Sequence, residues 1–249
     1  VPDVYINADG HKKSISAPGV GNYITVAKAA GLANNLLGNL DGRSFIHAHG
    51  TGTPANRVSE SHIFNETAKV FGIQNWPVAA IKCYLGHSIG ASGGDQLMSA
   101  LGTWHYGIIP GIATIDKAAD DVFDSNLAIS PEHKQVDKDN LDVALLNAKG
   151  FGGNNATAVV LSPVVARKML INKHGAKKIS TWQTKREKAI AAAASYDQRA
   201  AKVIESAIYK FDHNVRTSEH IKITPDAVSI EGYQQAIAIN QPSEFKDYL

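Results

Sequence analysis

Three times in its first 160 or so residues the chain passes from a short apolar run into a glycine-rich turn that carries a basic side chain. The stretches are "SFIHAHGTGTP", "WPVAAIKCYLGHSIGASGG" and "LDVALLNAKGFGGNN". Apolar runs of this length bounded by glycines read as buried strands. Helical patterns alternate with them. "VGNYITVAKAAGLANNLLG" sets Tyr23, Val26, Ala27, Ala30 and Leu32 at helical spacing and closes on Gly38, which predicts a helix over about residues 20–37. "VSESHIFNETAKVFG" does the same through Val58, Ile63, Phe64, Ala68 and Phe71 to Gly72, and "DQLMSALGTWHYG" gives a third helix with Asp95 in its first turn. The residues after Pro77 are read as one strand running through Lys82 and Cys83, and "LDVALLNAKGFGGNNATAVVLSP" as two strands joined by a glycine turn. Strand, glycine turn and helix in repetition specify an α/β architecture, in which ligands collect where strands end and turns begin.

At 249 residues with 44% hydrophobic content the chain can bury a real core. No apolar run approaches the roughly 20 residues needed to span a bilayer, and the first residues lack a signal peptide's pattern, so a cytoplasmic protein without membrane contact is expected. The net charge of +2 is unevenly placed. Residues 1–163 carry 11 Lys and Arg against 14 Asp and Glu, whereas residues 164–249 carry 14 against 9. A division into 1–163 and 164–249 follows. In the second part "VVARKMLINKHGAKK" reads as a basic surface connection. It leads into a long amphipathic helix, opened by a capping box at Ser180 and Gln183 and marked by Tyr196, Ala200, Val203, Ala207 and Phe211. The tail is expected to add a strand or a wrapping arm.

The three turns hold the residues able to do chemistry. None is a phosphate loop, since the Gly-Lys-Ser/Thr ending and the GxGxxG spacing are both missing, and His47, His49 and His87 lack the acidic neighbours or spacing of a metal site. Nothing in the pattern points to nucleic acid. Cys83, the single cysteine, follows Lys82 and precedes His87 by four residues. A thiol beside a base and a cation suggests a nucleophile. In a strand, however, neighbouring side chains face opposite ways, so with Lys82 turned to the site Cys83 is expected to pack away from it.

Taken in order, "HGTGTP", the Lys82 segment with "LGHS", and "GFGG" resemble the β-ketoacyl synthase condensing enzymes of the thiolase-like superfamily. The likeness extends over residues 1–163 and does not reach 164–249. It implies an α/β, thiolase-like fold, the C-terminal half of a layered αβαβα ketosynthase, here with a helical C-terminal extension. It also implies that His49 and His87 are paired donors that stabilise the enolate left when a malonyl thioester loses CO2. Lys82 would support them, with Glu60 as its charge partner. Thr51 and Thr53 would bind the phosphopantetheine arm. Phe151, flanked by Gly150 and Gly152, would lend its N–H to an oxyanion hole and its ring to an acyl gate. No metal or nucleotide cofactor is implied. The expected partners are an acyl carrier protein, the N-terminal half of the same ketosynthase, and a second copy in a homodimer.

Some positions depart from the pattern. Asn56 and Arg57 stand where Gly-Asp is common, and Ala148, Lys149 and Asn154 replace the more usual Ser, Phe and Thr. The nucleophilic cysteine of such enzymes belongs to the N-terminal half, so the chain, which begins at Val1, reads as a C-terminal half that would be inactive alone and prone to self-association. A non-catalytic partner subunit of chain-length-factor type is the alternative. It would have no need of both histidines.

Overall fold

A computed structural model describes residues 1–9, 19–203 and 210–240. The chain forms two compact units, Val1–Trp182 and Gln183–Leu249. A six-stranded sheet organises the first, in the order β1 (Val4–Ala8), β8 (Asn154–Leu161), β7 (Val143–Gly150), β2 (Ser44–His47), β3 (Trp76–Ala79), β5 (Leu127–Ala128). β8 runs antiparallel to both β1 and β7, while β7, β2, β3 and β5 are parallel. A two-residue pairing of β4 (Ile108–Ile109) with β6 (Lys134–Gln135) lies apart from it.

The parallel strands are covered on both faces, which is why they read as unbroken apolar runs rather than as alternating ones. Successive side chains still divide between two cores. Ile46, Val78, Val143, Leu145 and Val159 meet Val26, Ala29, Ala30 and Ala33 of α1 (Val20–Leu37) and Ile63, Phe64 and Ala68 of α2 (Pro54–Val70). Phe45, Ala79, Ala144, Leu146 and Val160 meet Ala100 and Trp104 of α4 (Ser92–Tyr106). At about 1.5–3 kcal/mol for each large apolar side chain taken fully out of water, these two clusters hold the frame and the turns are carried on it.

The structure differs from the sequence reading in four places. α1 keeps its predicted limits but turns Asn22, Thr25, Val26, Ala29, Ala30 and Ala33 inward, leaving Tyr23 and Ala27 exposed. Asn22 and Thr25 are buried because they hydrogen-bond, which an apolar periodicity does not register. β3 stops at Ala79, and Lys82–Leu85 is a single helical turn, α3. The basic segment after β8 is a helix, α5 (Pro163–His174), started by the Ser162 hydroxyl accepting from the Val165 N–H, with Pro163 in its first turn. α6 (Ala176–Ala200) begins ahead of Ser180, which therefore lies within the helix and not at its cap. Phe211 lies beyond the helix and is exposed, and Ala207 is outside the described residues. In the second unit β9 (Ile221–Ile223), β10 (Ala227–Ile230) and β11 (Ile237–Ala238) form an antiparallel sheet with β10 central. The C-terminal extension is thus helix and small sheet, with strands in the tail where a strand or a wrapping arm is expected.

Candidate active site

The first two glycine turns and the end of β7 converge at the C-terminal ends of the parallel strands. β2 delivers the chain into His49, Gly50 and Thr51. Gly50 and Gly52 have φ of 60° and 70°, and a Cβ on Gly50 would come 3.0 Å from the Ala80 Cβ, so the close approach of the first two turns depends on that glycine. Thr53 stands before Pro54, the first residue of α2, and α2 returns Glu60 to the turn. The Glu60 carboxylate is buried and accepts four hydrogen bonds: from the His49 N–H (2.6 Å), the Gly50 N–H (3.0 Å), Asn56 Nδ2 (3.0 Å) and Asn147 Nδ2 (2.7 Å). Asn147 is in turn bonded to Asn22 of α1 and to Thr157 of β8. This buried polar network fixes the turn's backbone. Sequence reasoning missed it, although a lone Asn within the apolar "VALLNA" was its visible trace.

His49 is 2% exposed, and its ring meets that of the exposed His87 edge to face, with centroids 5.3 Å apart and planes at 79°. Each ring accepts a main-chain N–H at Nδ1, His49 from Lys149 (3.3 Å) and His87 from Ile89 (3.1 Å). An amide can only donate, so in the neutral ring the proton is left on Nε2 in both cases. Burial pushes the His49 imidazole down to about 4; Glu60 opposes that, while Lys82, His87 and Lys149 reinforce it. His49 is therefore neutral at physiological pH. Lys82 lies 33 residues on and donates from Nζ to the His49 carbonyl at 2.6 Å. Burial lowers its pKa, with Glu60 and Asp95 acting in the opposite direction.

Lys82 and Glu60 thus belong to one cluster, but the expected ion pair between them is not among the contacts of the described residues. The four N–H donors occupy Glu60, and Lys82 takes a carbonyl. Cys83 also departs from expectation. Because α3 is helical, Lys82 and Cys83 do not alternate across a sheet, and both line the same cavity. The Cys83 Sγ lies 4.0 Å from the Gly111 carbonyl.

That cavity, about 500 Å3, is lined on one side by Gly50, Thr51, Lys82, Cys83 and His87. Its far wall is the segment from Ile112 to Ile129, where Ile112, Ile115, Val122, Leu127 and Ile129 are apolar. Arg57 of α2 grips that segment with a two-bond contact to Asp121 at 2.8 and 2.9 Å. Ser61 accepts the Phe123 N–H, and Asn65 bonds Ser125 and Asn126. Thr51 faces the cavity, and its hydroxyl is 3.5 Å from that of Thr53. Phe151 is not brought to it. Phe151–Gly153 forms a turn between β7 and β8 with Gly152 at φ 75°, and the Phe151 ring is 81% exposed. Among the described residues no cluster of His, Cys, Asp and Glu suits a metal ion.

Residues 1–116 match the family model for the β-ketoacyl synthase C-terminal domain. The chain is 49% identical over 251 aligned residues to the β-ketoacyl-[acyl-carrier-protein] synthase FabY of Pseudomonas aeruginosa, an alignment covering 100% of this chain and 39% of that protein. The crystal structure of that ketosynthase superposes with a TM-score of 0.89 over 99% of this chain and 39% of its own. The 3-oxoacyl-[acyl-carrier-protein] synthase 1 of Escherichia coli is 29% identical over 116 residues, 47% of this chain and 27% of its own length. The likeness to the Pseudomonas protein includes residues 164–249, contrary to the sequence expectation that the resemblance ends before them. The chain spans 39% of that relative's length. With its thiolase-like α/β fold and its three turns in family order, the chain belongs to the β-ketoacyl synthase condensing enzymes and corresponds to their C-terminal half.

Proposed function

We propose that this chain is the decarboxylating half of a β-ketoacyl-[acyl-carrier-protein] synthase, acting on a malonyl thioester carried by an acyl carrier protein. The observation that carries this reading is the matched pair of histidines, each accepting a main-chain N–H at Nδ1 and so offering Nε2–H. When the malonyl carboxylate leaves as CO2, the electron pair of the broken C–C bond passes to the thioester, and negative charge grows on its oxygen. Two N–H donors held in place beforehand stabilise that oxygen without reorganising. The depressed His49 pKa keeps its ring a neutral donor, able to polarise the oxygen without giving up a proton. The enolate carbon then attacks an acyl thioester on a cysteine of the N-terminal half, forming the new C–C bond and expelling the thiolate.

In this reading Lys82 and Glu60 hold the His49 turn, Thr51 and Thr53 line the path of the phosphopantetheine arm, and the Gly150–Gly152 turn lets Phe151 close over the site once the other half is present. The N-terminal half is the partner expected on α4, whose Gly94, Met98, Leu101 and His105 form an exposed stripe at helical spacing opposite its buried face. The retained histidine pair favours a catalytic half over a chain-length-factor-type subunit. No cofactor is required.

The test is CO2 release from malonyl carrier protein by the complete enzyme. His49→Ala is expected to lower it by about 100- to 1000-fold, as for loss of one oxyanion donor, and Cys83→Ser to leave acyl-enzyme formation intact. Wild-type decarboxylation by His49→Ala would sink the proposal, and loss of acylation in Cys83→Ser would return the nucleophile to Cys83.

A further inference from the structure

Asn56 and Lys149, two of the positions at which the sequence departs from the condensing-enzyme pattern, lie 93 residues apart and meet in the site. Lys149 is 7% exposed. Its Nζ donates to Asn56 Oδ1 at 3.1 Å and to Ser59 Oγ at 3.3 Å, both on α2. Asn56 Nδ2 donates onward to Glu60 Oε2, and Glu60 holds the N–H groups of His49 and Gly50. The main-chain N–H of the same lysine donates to His49 Nδ1. Lys149 therefore reaches His49 by two routes, directly through its backbone and through the series Asn56–Glu60 by its side chain. An aliphatic or aromatic side chain would supply the backbone contact alone. A buried ammonium is costly to keep unless its donors are accepted and an opposite charge stands near. Asn56, Ser59 and Glu60 meet those conditions, and Gly at position 56 would not.

We propose that Lys149, seated on Asn56 and Ser59, is a positioning residue of the decarboxylation site, its charge steadying the Glu60 carboxylate and thereby the turn that aims His49. The inference rests on the function proposed above. Four groups face His49: Glu60 from α2, Lys82 from α3, His87 from the loop beyond it, and Lys149 from β7. Glu60 favours the protonated ring and the other three oppose it. Loss of the Lys149 charge therefore moves His49 protonation to higher pH.

The test uses the complete enzyme with Lys149→Met, which removes charge and hydrogen bonds, and with Lys149→Gln, which keeps a donor for Asn56 and removes only the charge, so that the loss of charge is common to both. In both variants the acid limb of the decarboxylation pH profile is expected to rise by about one pH unit, with kcat reduced and KM for malonyl carrier protein unchanged. If Lys149→Met does not fold, Lys149→Gln carries the test. An acid limb that coincides with wild type in the Gln variant overturns the proposal. NMR titration of the His49 imidazole in wild type and Lys149→Gln reads the same shift without turnover. Absence of wild-type decarboxylation would then count against the function, and an unmoved His49 titration against the role of Lys149.

Discussion

His47 and His49 are two residues apart, and burial lowers the pKa of both, but they differ in their partners. His49 has defined partners, whereas neither ring nitrogen of the fully buried His47 has a hydrogen-bond partner among the described residues. Burial first, and Lys82 second, lower its pKa to about 3. The unfolded chain takes up a proton at this position below about pH 6.5, while the native state stays neutral. The stability loss therefore begins near pH 6.5 and grows until about pH 3, at roughly 1.4 kcal/mol per pH unit for such a group. His47→Leu removes that loss together with two unpartnered polar atoms. Urea denaturation between pH 7 and pH 4 is expected to show a flatter slope in this variant, and greater stability at pH 5 by about 1–3 kcal/mol. A slope equal to wild type would show that His47 does not titrate as its burial requires. The histidines also mark what was legible at this scale. Their positions in the three turns stand out in the sequence, but which of "HAH" faces the chemistry depends on partners that lie 11 and 100 residues away, Glu60 and Lys149.

Among the elements, α2 has two faces with two tasks. Asn56, Ser59 and Glu60 serve the histidine turn, while Arg57, Ser61 and Asn65 hold the 121–126 segment that continues the cavity wall. Arg57 and Asp121 are both substantially exposed, so their pairing is expected to order the segment rather than to stabilise the fold. Arg57→Ala should leave the melting temperature within a degree or two and raise amide hydrogen exchange across residues 112–126. Unchanged exchange there would show that Ser61 and Asn65 suffice. The α/β order and the limits of α1 were readable because glycines punctuate the chain, Gly38 in the left-handed region ending α1, whereas the inward face of α1, with Asn22 and Thr25 on it, was not. Nor was the break of β3 into α3. Ile81 to Leu85 is as apolar as a strand, and the helical turn is set by main-chain bonds such as Gly86 N–H to the Lys82 carbonyl. The same mistake misdirected Cys83.

At the level of the whole molecule, the 249-residue chain by itself exposes the α4 stripe of Gly94, Met98, Leu101 and His105. Two large apolar side chains of that stripe, Met98 and Leu101, stand exposed to water and favour association of the isolated chain. Sedimentation velocity on the isolated chain is expected to show concentration-dependent oligomers, and a monomer across the micromolar range would remove the case for a covering half. The sheet beneath is well anchored, but the loop that carries His87 is not uniform with it. Ile89, whose N–H orients the His87 ring, has φ of 56°. A β-branched side chain in the left-handed region holds about 1–3 kcal/mol of backbone strain. That strain is released whenever the loop lets go, so the free energy of local opening there is smaller than for the strands below it. His49 thus stands on the permanent frame, whereas His87 sits on a segment that is cheap to open, so the two facing rings differ in how firmly the fold holds them.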